Sequence, residues 1–286
     1  MKPLVIHSAH ELLSSVREIR KNWKVREQKE LWFRAEDAKH VATRLQPKLY
    51  RPAKGKPRKS VSTLLDYEDD CHDEFWRCAD QLCESKLDDD AEWDWYFLSQ
   101  HHGVPTRLLD WSDGALVSLH FAVRNRRAPL KTDATIFIMD PYWLLKNIRR
   151  SKSYDEAKRN WRKYRRKRKW EGLSQDDWDD TYLPMDLGGR KELPLPAAPL
   201  LWDSPHVSRR IAAQRSRFMI FGSEPEWLSK LVNKDGARLR EVTVPKENMN
   251  NIRYELRDAG VTESVIFPDL DGLGREIEQR WADRLQ

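Results

Sequence analysis

Cysteine is scarce in this chain: three residues, Cys71, Cys78 and Cys83, all in one stretch, among 286. An odd count with no second cluster excludes a disulfide framework and leaves a zinc site without the ligands to complete it. Reduced thiols in a reducing compartment are the expectation. Glycine numbers only 11, and neither GxxxxGK nor GxGxxG occurs, which argues against a phosphate-loop triphosphatase and a Rossmann enzyme. The HExxH helix of zinc proteases and the GxSxG nucleophile elbow are missing too. No apolar run approaches the length of a membrane span, and the opening MKPLVIHSAHELL lacks signal-peptide architecture. The expectation is a cytoplasmic protein that makes no membrane contact.

Charge is what the chain has in abundance: 34% of residues are charged, 39% are hydrophobic and the net charge is +6. That net value conceals a separation. Between Lys146 and Lys169 thirteen bases face two acids, and between Asp66 and Asp94 thirteen acids face two bases. In the basic stretch, Trp161 and Tyr164 are interleaved with Arg162, Lys163, Arg165, Arg166, Lys167, Arg168 and Lys169. Cations that neutralise phosphates beside aromatics that stack on bases suit a nucleic acid. The same residues also suit an acidic protein partner, or pairing with the acidic stretch of this chain.

The polar chemistry concentrates in QHHGVPTRLLDWSDGALVSLHFAV, Gln100 to Val123. A helix carrying Trp93, Tyr96 and Phe97 on its buried side ends at Gly103, which tolerates positive φ. Pro105 keeps the next residues extended up to Asp110. Asp110 or Ser112 then caps a helix on which Ala115, Leu116, Leu119 and Ala122 recur. Two adjacent histidines point about 100° apart on a helix, so His101 and His102 do not share a metal; no metal site is expected. Upstream, ELWFRAE alternates as a strand with Leu31 and Phe33 on one side and Trp32 and Arg34 on the other. An arginine in mid-strand needs a partner or an anion.

Other elements follow from the same rules. Ser8 opens a helix to about Trp23. Tyr67 to Glu84 reads as a helix with Phe75, Cys78 and Leu82 inward, ATIFIMD as a buried strand, and Arg217 to Phe221 and Leu239 to Val244 as strands. Helices are expected over Pro225 to Val232, Lys246 to Ala259 and from Leu270, with Ser264 to Phe267 strand-like. The order predicts one mixed α+β domain over residues 1–286, its sheet core surrounded by helices, with a basic helical and polar insertion at 144–192.

The elbow QHHGVPTRLLDW with its ALVSLHFA run resembles the signature of the FRG domain family. LWFRAE, RRIAAQRSRF and GVTESVIFPDLDGL extend the resemblance in the family's order, although Ala35 stands where the family name has glycine. The family is remotely similar to the ADP-ribosyltransferase fold. That similarity implies an α+β core with an ADP-ribosyltransferase-like mixed sheet, with NAD as substrate. Arg34 would hold NAD, the elbow with Arg107 and Asp110 would lie near the nicotinamide, and Gln214 would fall near the position of a catalytic glutamate. Gln100, His101, Thr106, Trp111 and Phe121 complete the expected NAD site, with Trp111 or Phe121 as the surface for the ring. The family's setting implies a toxin of an antiphage or toxin–antitoxin system, acting on nucleic acid, RNA ahead of DNA, with an antitoxin or chaperone-type partner. Two other functions are open: a non-catalytic nucleotide- or RNA-binding module, and a metal-independent ribonuclease using His101, His102 and Arg107.

Overall fold

The alternating and all-apolar runs condense into one seven-stranded sheet with helices on both faces. The computed structural model describes residues 4–36, 43–53, 55–79, 82, 87–88, 91–124, 132–168, 177–183, 194–202 and 209–281. In chain order it gives β1 (Leu4–Val5), α1 (Ala9–Trp23), β2 (Trp32–Glu36), α2 (Val61–Ala79), α3 (Glu92–His101), β3 (Leu108–Ser112), α4 (Ala115–Val123) and β4 (Ala134–Met139). There follow α5 (Pro141–Arg149), α6 (Lys152–Arg168), β5 (Leu200–Trp202), α7 (Arg209–Ala213), β6 (Ser216–Ile220), β7 (Leu239–Val244), α8 (Met249–Asp258), α9 (Glu263–Ile266) and α10 (Leu270–Trp281). The strand order is β1-β7-β4-β2-β3-β6-β5. Only β1 and β7 run parallel; every other neighbouring pair is antiparallel.

All six residues of β4 are buried, as befits a strand covered on both faces. On one face Phe33, Ile136, Ile138, Val242 and Val244 pack under α1, α4 and α8. Farther along that face, Leu108, Phe218 and Ile220 pack with Tyr96 and Phe97 of α3 and Ile211 of α7. The opposite face, with Trp32, Leu109, Trp111, Phe137 and Met219, packs against Leu144 and Ile148 of α5 and against Leu49 and Tyr50. The alternation expected for β2 is therefore present, Phe33 and Trp32 lying in opposite cores. No helix among the described residues is long and apolar enough to cross a membrane.

Several local expectations are corrected. Helix α2 begins at Val61, and it buries Glu68 and His72 while Cys78 and Leu82 are exposed. Its inward face is polar because a buried arginine lies beneath it. Helix α4 is capped by Gly114 rather than by Asp110 or Ser112; the Gly114 N–H donates to Ser112 Oγ at 3.0 Å. Residues 225–232 form turns and a single 3-10 turn, Ser229–Leu231. Residues 263–266 are a helical turn where a strand was expected.

The basic segment folds as α6, and here the expected stacking role of two aromatics is corrected. Trp161 and Tyr164 are 1% and 4% exposed, stack on each other at 5.9 Å between ring centroids and pack against Trp178. They anchor the helix, and no free face remains for a base. Arg162, Lys163 and Arg166 are exposed. The side chains of Arg165, Lys167 and Arg168, and all of Lys169, Trp170 and Cys83, lie outside the described residues.

Candidate functional site

Strands β2 and β3 share a single ladder pair, Phe33 with Ser112, whereas β2 pairs with β4 over five residues and β3 with β6 over five. The two halves of the sheet therefore part toward Arg34 and Asp110. A cavity of about 350 Å³ lies at that parting, lined on one side by Arg34, Glu36 and Arg51 and on the other by Asp110, Phe121, Arg124, Arg210 and Gln214. A second, smaller hollow of about 80 Å³ shares Asp110, Arg210 and Gln214 with it and adds Gln100 and His101. Together they make one cleft of small-molecule size.

Asp110 occupies its centre. Four of the five residues of β3 are buried and only Asp110 is exposed, which is unusual for a strand inside a sheet. It lies between the cover of α4 and the cover of α3 and α7, where neither reaches. Gln100 Nε2 donates to both its carboxylate oxygens at 3.2 and 3.1 Å, and Thr106 Oγ1 donates to Gln100 Oε1, fixing the amide. The surrounding protein pushes the carboxyl above the ordinary aspartate range; the charge of Arg34 and the Gln100 hydrogen bonds offset this only in part. Carboxyls shifted by their surroundings cluster at functional sites, which makes Asp110 a candidate.

Arg34 reaches the same point from β2. Its Nη1 donates to the Asp110 carbonyl at 2.5 Å, and its Nε, 4.0 Å from Glu36 Oε1, is buried with no hydrogen-bond partner. Burial lowers its affinity for a proton, although Glu36 and Asp110 oppose that. Glu36 accepts from the Leu45 N–H at 3.0 Å and from Arg51 Nη2 at 3.4 Å. On the opposite wall, Arg124 and Arg210 lie 4.2 and 4.5 Å from the Phe267 ring centroid, cation–π distances. Arg124 also donates to the buried Glu263 at 2.7 Å, together with Arg275 at 2.8 Å and His120 at 3.0 Å.

Of the residues expected from the sequence, Arg34, Gln100, His101, Asp110, Phe121 and Gln214 converge on this cleft, and Thr106 supports it from behind. Among the described residues Gln214 Nε2 makes only a long contact, with the Ile266 carbonyl at 3.5 Å, so its amide is available. His101 is pushed down to about 4 by burial and then by the charges of Arg210 and His102; it is neutral at pH 7.

Arg107 is a correction. Its side chain is fully buried; Nε donates to Glu68 Oε2 at 2.5 Å, Nη1 to the Phe221 carbonyl at 3.2 Å and Nη2 to the Tyr182 carbonyl. No donor faces the cleft, because this guanidinium holds α2, β3 and the 177–183 turn together. The proposed trio of His101, His102 and Arg107 consequently shares no cavity. Trp111 is corrected as a stacking surface: it is 3% exposed and its ring packs with Trp32, Leu109 and Met219. Phe121 is half-buried, whereas Phe33 and Trp111, which also border the cleft, are buried.

Arg210, Arg124 and Arg51 were missed. A cue existed for Arg210, which precedes Gln214 by one helical turn in RRIAAQRSRF, and the Gln214 N–H does donate to the Arg210 carbonyl at 2.9 Å.

Among known proteins, the model of one family, the FRG domain, matches residues 29–131. No curated protein and no solved structure matches the chain.

Proposed function

This chain carries an FRG domain, and from that premise we propose that it is an NAD-dependent mono-ADP-ribosyltransferase acting on nucleic acid, RNA first. The observation that supports this best is the convergence of Arg34, Asp110 and Gln214, drawn from three separate stretches of chain, on one cavity. Those are the residues that similarity to the ADP-ribosyltransferase fold singles out for NAD, for the nicotinamide end and for the ribose.

Breaking the bond between nicotinamide and ribose sends the bonding electrons to the departing ring and leaves an oxocarbenium-like sugar, which the acceptor then attacks. Such a reaction calls for groups more attractive to the charged transition state than to NAD. Asp110, ionised, faces that positive charge. It answers the absence of a glutamate at Gln214, whose amide orients a ribose hydroxyl but carries no charge. Phe121 backs the nicotinamide, Arg34 neutralises a phosphate through guanidinium hydrogen bonds, and Gln100 keeps the Asp110 carboxylate aimed. The exposed Arg162, Lys163 and Arg166 of α6 hold the acceptor's backbone. In the toxin setting implied by the family, a neutralising protein partner acts on the same chain.

The test is incubation of purified protein with isotopically labelled NAD and separate pools of RNA, DNA and protein. Label enters the RNA pool with the natural chain and is lost with Arg34→Ala and with Asp110→Asn. Absence of both label transfer and nicotinamide release, with nucleotide binding retained, would replace this reading by that of a non-catalytic binding module, for which the neutral Gln214 speaks.

A further inference from the structure

Five side-chain polar atoms among the described residues are buried without a hydrogen-bond partner, and three of them, Arg34 Nε, Arg210 Nε and Trp111 Nε1, belong to residues that line the one cavity. All three are donors. Leaving a donor buried and unmade costs about 1–3 kcal/mol, more when it is charged, so native proteins seldom collect such groups in one place unless an acceptor arrives there. The charge of the lining points the same way. Four guanidinium groups, Arg34, Arg51, Arg124 and Arg210, line the cavity with two carboxylates, Glu36 and Asp110; Glu263 neutralises Arg124 from behind and the charge of Asp269 reaches Arg210. Glu36 is engaged by Arg51 and the Leu45 amide.

We propose that Arg210 is a phosphate anchor of this cleft, clamping a diphosphate between itself and Arg34, so that the ligand is recognised as a nucleoside diphosphate or dinucleotide rather than as a nucleoside. The proposal rests on the cleft being the nucleotide site. Arg210 is held for the task by cation–π contact with Phe267, which Arg124 and Arg275 also flank at 4.2 and 5.1 Å. Arg275 and Arg124 are tied to Glu263, whereas Arg210 Nε is buried with no hydrogen-bond partner and Asp269 acts on the group through its charge. Of this group, Arg210 is the member kept for a ligand.

Binding of ADP, AMP, adenosine and inorganic pyrophosphate is measured by calorimetry on the natural chain and on Arg210→Gln, Arg210→Lys and Trp111→Phe. ADP and pyrophosphate bind and adenosine does not; Arg210→Gln weakens ADP at least tenfold, and Arg210→Lys recovers part of that loss by restoring charge without the fork. Thermal melts confirm that each variant folds. ADP affinity unchanged in a folded Arg210→Gln, or adenosine binding as well as ADP, overturns the proposal. The transferase reading fails separately: a chain that binds ADP through Arg210 and never releases nicotinamide from NAD keeps this anchor and loses the enzyme. NAD turnover with an unaltered KM in Arg210→Gln does the reverse.

Discussion

Glu68 and Arg107 form an ion pair whose side chains are 1% and 0% exposed, and each depends on the other. Removing one partner of a buried pair strands a charge in the interior and costs about 3–5 kcal/mol, whereas replacing both with apolar groups of similar volume is often neutral. Glu68→Gln is therefore expected to lower unfolding free energy by that amount in denaturant titration, and Glu68→Leu with Arg107→Met to recover most of it. If Arg107 were a ligand anchor instead, the double variant would lose ADP binding, which is expected to persist. His101 carries a second residue-scale prediction. Its folded-state pKa, about 4, lies below the ordinary 6.5, so the unfolded chain binds the extra proton and stability falls as pH drops from about 6.5 to 4. His101→Gln removes this penalty: its melting temperature gains on the natural chain at pH 5 relative to pH 7.5. In the proposed reaction Asp110, raised above the aspartate range, must be ionised to face an oxocarbenium ion, so the expected acid limb of any NAD turnover, read from a rate–pH profile, lies at higher pH than an unperturbed aspartate would give. Arg34 was legible here because strand alternation and mid-strand polarity expose it; Asp110, read as a strand end or helix cap, came to the cleft through the family resemblance. Arg107 misled because an arginine beside a strand looks the same in sequence whether an anion or a distant glutamate answers it.

Helix α6 presents two faces with different work. Tyr154, Trp161 and Tyr164 pack toward Trp178, and Arg162, Lys163 and Arg166 face outward. Trp161→Ala should destabilise the protein by about 3–5 kcal/mol, the usual cost of emptying a large aromatic site, with RNA affinity changing only as far as folding does. Replacing Arg162, Lys163 and Arg166 together by alanine should leave the melting temperature in place. It should also flatten the dependence of log K on log salt by up to about 2, at roughly 0.7 per phosphate contact for single strands. An unaltered salt slope would remove α6 from the nucleic-acid interface. The sequence announced the helix and its charge; it did not announce which aromatics are buried, since that depends on Trp178 in a segment that carries little pattern of its own. The short strands β1 and β5 escaped for a related reason: two or three residues hold too few alternations to be read, and pairing with β7 and β6 is what makes them strands.

Across the whole molecule, Glu263 is the point at which three helices meet. Through it α9 binds His120 of α4, Arg124 at that helix's C-terminal cap and Arg275 of α10. Burial would raise its pKa, but hydrogen bonds from His120 and Arg275 and the charge of Arg124 outweigh burial and hold it down to about 2. A carboxyl lowered in the folded state stabilises fully above its ordinary 4.5 and loses that contribution as pH falls toward 2. Acid unfolding of the natural chain should accordingly steepen between pH 4.5 and 2. Glu263→Gln should be less stable at pH 7 and show a flatter acid limb, and equal slopes would rule the cluster out as the acid-sensitive joint. By itself the sequence determined the mixed α/β class, the principal strands and helices, the charge separation and the resemblance to the FRG domain, whose model matches residues 29–131. All of these reside in local period, capping and contiguous motifs, which a chain displays without folding. Tertiary structure alone decided which arginines face the cleft and which are locked in the core. It also brought Arg210 and Gln214 to Arg34, because β2 and β3 share one ladder pair and part beyond it. Such pairing joins residues far apart in sequence, and no local pattern records it.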